Sequence, residues 1–283
     1  MTVMKTRKNT VALFVAILCL CSCRPDLVIL HTNDTHSHMD PVRGGSYDGL
    51  GGCIERAAFV DSVRAAEGED RVLLLHAGDF SQGTTYFSQL NGQLEPRIIK
   101  AMRYDCVTLG NHEFDNGIEA LCERVRMLGD VPVVCANLDL SSFKLGEYVK
   151  PYAIVTKAGM KIGIIGMEAD ISWTVSKTVS SRIPVLDNVE VVRKWEDFLH
   201  DECKCDLIIL LSHMGFEEDL EIVPKTKWVD VVVGGHTHTF LKEKSVERNM
   251  RGKQVPVVTD GCWGIQMGKL SLYRGLFSRL SCR

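Results

Sequence analysis

Five times along this chain a short apolar run rich in β-formers ends, and a cluster of Asp, Asn or His follows at once. Asp34-Thr35-His36 comes just after Leu27–Thr32, Gly78-Asp79 after Val72–His76, and Gly110-Asn111-His112-Glu113 after 106–109. Ser212-His213 comes after 207–211, and Gly234-Gly235-His236-Thr237-His238 after 229–233. Helical spacing of apolar residues over 52–66, 116–128 and 188–202 separates several of these runs. Two runs around Ala158-Gly159, Tyr152–Lys157 and 161–167, read as a β-hairpin, and 255–259 with 267–273 as a second antiparallel pair. The mixture predicts an α/β protein of stacked sheets with helices outside, not a bundle or an all-β sandwich. Ligand sites in α/β sheets lie beyond the carboxyl ends of strands, so all five clusters are candidates for one rim.

The residue types say what would gather there. Asp, Asn and His offer oxygen and imidazole nitrogen, donors that suit Zn, Mn, Fe and other divalent ions. Two such ions about 3.5–4 Å apart are a common device for cleaving phosphate esters. A carboxylate between them relieves their repulsion, and Asp79, central among the clusters, is the natural bridge. Taken singly, each Asp or Asn is an ordinary turn or cap residue. Five clusters in order, each after a strand, are not explained that way. His31, His38, His76 and His200 have no motif partner and read as structural or exposed, Trp263 and Tyr273 as packing residues, and Glu113 as a supporting group.

The chain has 283 residues, 45% of them hydrophobic, and a formal net charge of -3, without a long basic run after its N-terminus. That balance suits one large globular domain and argues against a nucleic-acid polymer as partner. Lys5, Arg7 and Lys8 precede an apolar stretch from Val11 to Leu20 that is too short to span a bilayer, as expected of an export leader. Leu20-Cys21-Ser22-Cys23 resembles a bacterial lipoprotein box, so residues 1–22 read as a lipoprotein signal peptide, Cys23 as the lipidated residue and 23–26 as a tether. The expected location is the bacterial cell envelope, periplasmic or outer-membrane, with contact to the membrane through the lipid. Most of the other cysteines lie inside apolar runs and read as free or structural thiols.

The ordered strings D-x-H, G-D, G-N-H-E, a lone His and G-H-x-H resemble the calcineurin-like metallophosphoesterase superfamily. Asn33-Asp34-Thr35-His36, Gly78-Asp79-Phe80-Ser81-Gln82-Gly83-Thr84, Leu109-Gly110-Asn111-His112-Glu113-Phe114-Asp115 and Ser212-His213-Met214-Gly215 narrow this to the catalytic domain of the 5′-nucleotidase family. The resemblance implies a four-layer αββα sandwich of two mixed β-sheets flanked by helices, over residues 27–273. It implies two divalent cations (Zn, Mn, Co or Fe), one on Asp34, His36, Asp79 and His238, the other on Asp79, Asn111, His213 and His236. His112 would face the phosphate, held in one tautomer by Asp115. The implied reaction is in-line attack of an activated water on a small phosphoester, foremost a 5′-nucleotide, without a phosphoenzyme. A 2′,3′-cyclic phosphodiesterase, a nucleotide-sugar hydrolase, a sulfur-ester hydrolase and a non-catalytic metal-binding module are the alternatives. Family members resemble one another in a further C-terminal domain that stacks the nucleobase. Here 274–283 reads as a short tail, so that domain is expected to be absent, or supplied as a separate polypeptide partner.

Overall fold

A computed structural model of the chain describes residues 24–274 and 280–282. The leader at 1–22 and the lipidation position Cys23 lie outside the described residues. Strands β1 (Leu27–Thr32) and β2 (Val72–His76) are buried at every position. The same holds for β8 (Leu207–His213) and β9 (Val231–Val233). Strands buried on both faces need a covering layer on each side, and the alternation of their side chains supplies three apolar layers. Leu27, Ile29, Leu73 and Leu75 pack between the sheets with Leu207, Ile209, Leu211, Val231 and Val233. Val28, Leu30, Val72 and Leu74 point the other way, to Val60, Val63, Ile99, Leu121 and Val125. Those partners sit on helices Cys53–Glu67, Leu94–Ala101 and Gly117–Leu128. Ile208, Leu210 and Val232 face Val191, Val192 and Ile222 on helices Asn188–Asp197 and Phe216–Ile222. The result is the expected α/β architecture, two mixed sheets flanked by helices.

The first sheet runs β13 (Leu280–Cys282), β12 (Gly268–Arg274), β1, β2, β3 (Cys106–Thr108), β4 (Val133–Val134), β5 (Val149–Lys150). The second runs β10 (Ser245–Arg248), β11 (Gln254–Val258), β9, β8, β7 (Met160–Glu168), β6 (Tyr152–Lys157). Strands β1 to β5 are mutually parallel, as are β7, β8, β9 and β11, so the cluster-bearing strands of each sheet end on the same side. The hairpin around Ala158-Gly159 forms as expected, with Tyr152 opposite Ile165.

One expectation fails. The segments at 255–259 and 267–273 do not pair with each other: β11 lies parallel to β9 in the second sheet, whereas β12 runs antiparallel to β1 in the first. The connecting segment crosses the end of the sandwich instead of turning back, because it is tied down there. Asp260 N–H donates to Asn33 Oδ1 at 2.8 Å, and Trp263 N–H to the Asp34 carbonyl at 2.6 Å. Within the tail at 274–283, Leu280–Cys282 adds β13 beside β12. The cysteines whose side chains are described, Cys53, Cys106, Cys122, Cys135, Cys203, Cys205 and Cys262, are all free thiols. Among the described residues no helix is long and apolar enough to cross a membrane.

The sheets are in direct contact where Gly166 of β7 meets the backbone of Val134, and the Ala136 N–H reaches the Gly166 carbonyl at 2.8 Å. A methyl group at 166 would overlap that backbone. Gly166→Ala is therefore expected to lose about 1–3 kcal/mol of stability, read as a lower midpoint in urea unfolding. An unchanged midpoint would mean that the sheets can separate without cost.

Candidate active site

The clusters after β1, β2, β3, β8 and β9 meet at one end of the sandwich, at the mouth between the two sheets. Asp34 and Asp79 are buried, at 0% and 2% exposure, and His213 is fully enclosed. The His213 Nε2 lies 3.2 Å from Asp79 Oδ2 and 4.0 Å from Asp34 Oδ1. The His238 Nε2 lies 3.3 Å from Asp34 Oδ1 and 2.9 Å from the His36 Nε2. Donor atoms within 4.8 Å of one another form three groups: Asp34, His36 and His238; Asp79, His213 and His236; and His36, Asp79 and His112. His36 and Asp79 join these groups into one continuous patch.

The local backbone is unusual. Asp34, His36, Asp79, His236 and His238 all have positive φ, between 44° and 77°. Non-glycine residues avoid that region, and such strain concentrates at functional sites. The glycines before them act in two ways. Gly78, at φ 82°, makes the turn into Asp79, whereas Gly110 and Gly235 have ordinary φ and are needed for closeness: a side chain at 110 would overlap Asp79, and one at 235 the Ala77 carbonyl.

Hydrogen bonds fix the carboxylates and leave selected atoms bare. Asp34 Oδ2 accepts from Asn33 Nδ2 at 2.7 Å and from the His236 N–H at 2.9 Å. Asp34 Oδ1 is buried without a partner. Asp79 Oδ1 accepts the His112 N–H at 2.9 Å, and Oδ2 faces His213. His213 donates Nδ1–H to the Ala77 carbonyl at 2.6 Å, which leaves the lone pair at Nε2 for a further partner. His213 Nε2 and Asn111 Oδ1 are likewise buried and unpartnered. Buried acceptors without donors are costly unless something positive sits among them, so this donor set fits divalent cations. Protons take that place when no cation is bound. Burial pushes the His213 imidazole down, but the Asp79 and Asp34 carboxylates outweigh it and hold it well above its ordinary value. The Asp34 carboxylate beside it, followed by Cys262, raises His238 to about 10. Cation binding would displace these protons.

His112 stands apart from the buried acceptors. It is half-buried, and its Nδ1 bonds Asp115 Oδ2 at 2.8 Å, which raises the imidazole above its usual value. A ring nitrogen of His112 lies within 4.8 Å of donor atoms of Asp79 and His36. His31, His38, His76 and His200 belong to none of the three groups. His31 is buried against Asp260 at 2.5 Å, His76 is enclosed and driven down to about 3 by burial, and His200 bonds Asp201.

Supporting residues brace these clusters, and two of them, Glu168 and Asp219, had no signal in the sequence. The Glu113 carboxyl accepts the N–H groups of Asp79 (2.8 Å), Gly110 (2.7 Å) and Ser81 (2.9 Å), and so ties the second and third clusters together. Asn33 does the same between Asp34 and the crossing segment, donating to the Gly261 carbonyl at 2.6 Å and accepting from Asp260. Glu168 and Asp219 are fully buried near His213. Burial pushes Glu113 and Asp219 up to about 8 and Glu168 well above the carboxylate range.

Residues 27–240 match the family model for calcineurin-like phosphoesterases. The chain belongs to this family. It is 36% identical over 273 residues to the snake venom 5′-nucleotidase of Naja atra, covering 87% of this chain and 50% of that protein. Among solved structures, the 5′-nucleotidase precursor of Thermus thermophilus superposes with a TM-score of 0.83 at 33% identity, over 91% of this chain and 53% of that one. The NAD nucleotidase of Haemophilus influenzae gives 0.81 at 29% identity, over 91% and 49%. The chain thus spans about half the length of these relatives.

Glu113→Ala would strip three buried N–H groups of their acceptor, each at a cost of about 1–3 kcal/mol. Both turns should loosen, and calorimetric titration of Mn or Zn should show affinity lower by roughly 10-fold or more. Wild-type affinity in this variant would show that the turns hold their shape without the carboxyl.

Proposed function

We propose that this chain is a dinuclear-metal phosphoester hydrolase that acts foremost on 5′-nucleotides, releasing the nucleoside and phosphate. The observation that carries this reading is the set of unpartnered buried acceptors on Asp34, Asn111 and His213, gathered around Asp79 beside an accessible His112–Asp115 pair. Relatives named 5′-nucleotidases, similar over most of this chain, support the substrate class. Asp34, His36, Asp79 and His238 would hold one cation, and Asp79, Asn111, His213 and His236 the second. Bound there, the cations would supply Lewis-acid stabilisation of phosphoryl charge and a water acidified toward neutral pH.

The remaining work falls to the chain itself. The Glu113 and Asn33 bonds keep the donor atoms in place before substrate arrives, so little reorganisation is needed during reaction. His112, with Nδ1–H directed to Asp115, offers Nε2 to the phosphate. As the imidazolium it stabilises a phosphoryl oxygen or gives its proton to the departing oxygen. The single neutral tautomer enforced by Asp115 then regains a proton at Nε2.

Phosphate release from AMP should depend on added Mn, Zn or Co and stop with EDTA. Asp79→Ala should abolish it, while His112→Ala should keep the metals and lose roughly 10²–10⁴-fold in rate. Normal turnover by Asp79→Ala with two metals bound would refute the assignment.

The pH dependence has a definite sign. Asp115 raises His112, so the imidazolium persists to higher pH than it would alone. In Asp115→Asn the imidazole loses its proton at lower pH, and the alkaline limb of kcat/KM should move toward acid. A limb that stays in place would show that it belongs to another group.

A further inference from the structure

Behind the segment that carries His36 lies a small cavity of about 20 Å³, lined by Arg56, His76 and Glu95 and by the apolar Phe80, Ile99 and Met102. The three polar side chains are 6%, 2% and 2% exposed. Even so, Nε and Nη1 of Arg56, Nδ1 of His76 and Oε2 of Glu95 meet no hydrogen-bond partner among the described residues. Buried polar atoms, and buried charges above all, are costly in that condition. We propose that this cavity holds one bound water shared by Arg56, His76 and Glu95, and that the unit so formed positions His36.

The chemistry of the walls selects the guest. A cation would face the Arg56 guanidinium and an anion the Glu95 carboxylate, so neither is favoured by both. The guest must donate to Glu95 Oε2 and accept from Arg56, which calls for a neutral molecule able to do both. The His76 imidazole, driven down to about 3 by burial, is neutral and presents a donor or an acceptor at Nδ1 according to its tautomer. Water suits either case, and roughly 10–15 Å³ is enough for one molecule of it.

Each wall also grips a neighbour of His36. Thr35 Oγ1 bonds His76 Nε2 at 3.0 Å, Ser37 Oγ donates to Glu95 Oε1 at 2.5 Å, and Arg56 Nη2 donates to the His38 carbonyl at 3.2 Å. His36 itself turns the other way, with Nε2 2.9 Å from the His238 Nε2. His36 and Ser37 are successive residues at positive φ, 44° and 55°, a conformation that persists only where the surroundings enforce it. The walls come from three separate elements, the helices Cys53–Glu67 and Leu94–Ala101 and the end of β2. A water bonded to all three joins them into one network, and that network holds the strained turn on both sides of His36.

The test has two arms, both on the full chain. Crystals grown with sodium bromide, at a resolution that shows ordered water, should give one peak bonded to Glu95 Oε2, His76 Nδ1 and the Arg56 guanidinium, without anomalous signal at the bromine edge. No peak, or an anomalous one, overturns the water site. In the second arm Mn affinity by calorimetry, the visible bands of bound Co and the urea midpoint are compared in wild type, Glu95→Leu and Glu95→Gln. Glu95→Leu should bind Mn roughly 10-fold more weakly and shift the Co bands. Glu95→Gln, which can still bond both Ser37 and the water, should restore both. A lower midpoint with wild-type affinity and unchanged bands would make Glu95 a packing residue only and overturn the positioning role. Should Glu95→Leu not fold, His76→Leu is read in the same way. The positioning role rests on the cation sites proposed above, whereas the water does not. A wild type that binds no Mn therefore ends both the cation reading and the positioning role, and the crystallographic peak alone decides the water.

Discussion

Two buried carboxylates, Asp34 and Asp79, share an enclosure with the imidazoles of His36, His213 and His238, and the rest of the molecule is arranged around that confrontation. Burial opposes the charge on Asp79, yet the imidazoles of His213 and His36 hold its carboxyl far below the ordinary value. Such a cluster cannot relax into a hydrogen-bonded network of its own. Too many of its atoms accept and too few donate. Left alone it must borrow protons onto histidine; with cations it can be satisfied in full. The backbone is held in strained φ at five of its residues, which requires neighbours that prevent relaxation. Glu113, Asn33 and the Ala77 carbonyl, bonded to turns and rings rather than to solvent, provide that restraint.

The sandwich explains how distant residues reach this enclosure. Asp34, Asp79 and Asn111 come from the first sheet, His213 and His236 from the second. Neither sheet alone carries a complete donor set. Close approach of the sheets therefore brings the donor atoms together as well as packing the core, and Gly166 against Val134 is one place where no side chain fits between them. The apolar layer of Ile29, Leu75, Ile209 and Val233 between the sheets sets the spacing that the polar cluster inherits at its open end.

Much of this was legible in the sequence because its signals are local. A strand buried on both faces reads as an apolar run, and the residue just after it is at the rim wherever the strand lies in the sheet. Asp34, Asp79, Asn111, His213 and His236 were found by that rule. Strand order was less accessible: 255–259 and 267–273 look like a hairpin, and only the anchoring of Asp260 and Trp263 on Asn33 and Asp34 sends them to different sheets. The carboxyls of Glu168 and Asp219 were missed because an acid at a strand end or on a short helix ordinarily faces water. Their burial follows from the packing of both sheets around His213, which no local pattern encodes. Trp263 read as a packing residue, and its ring does pack on His38, but the same ring also forms part of a cavity wall.

Exposure divides the site into two kinds of residue. The cation-binding candidates Asp34, His36, Asp79, Asn111 and His213 are buried and cross-braced, so a substitution among them disturbs several neighbours together. His112, Asp115, Tyr47 and Tyr86 stand nearer to solvent and have fewer ties. Among the described ring contacts, Tyr47 meets Phe240 and Trp263, which follow His238 and hang on the Asp34 carbonyl respectively. Trp263 hangs on the Asp34 carbonyl and His38 on that of His36, so a shift in either of these residues moves the wall. A change in the buried donor cluster is therefore felt in the aromatic residues beside it, because both hang on the same backbone.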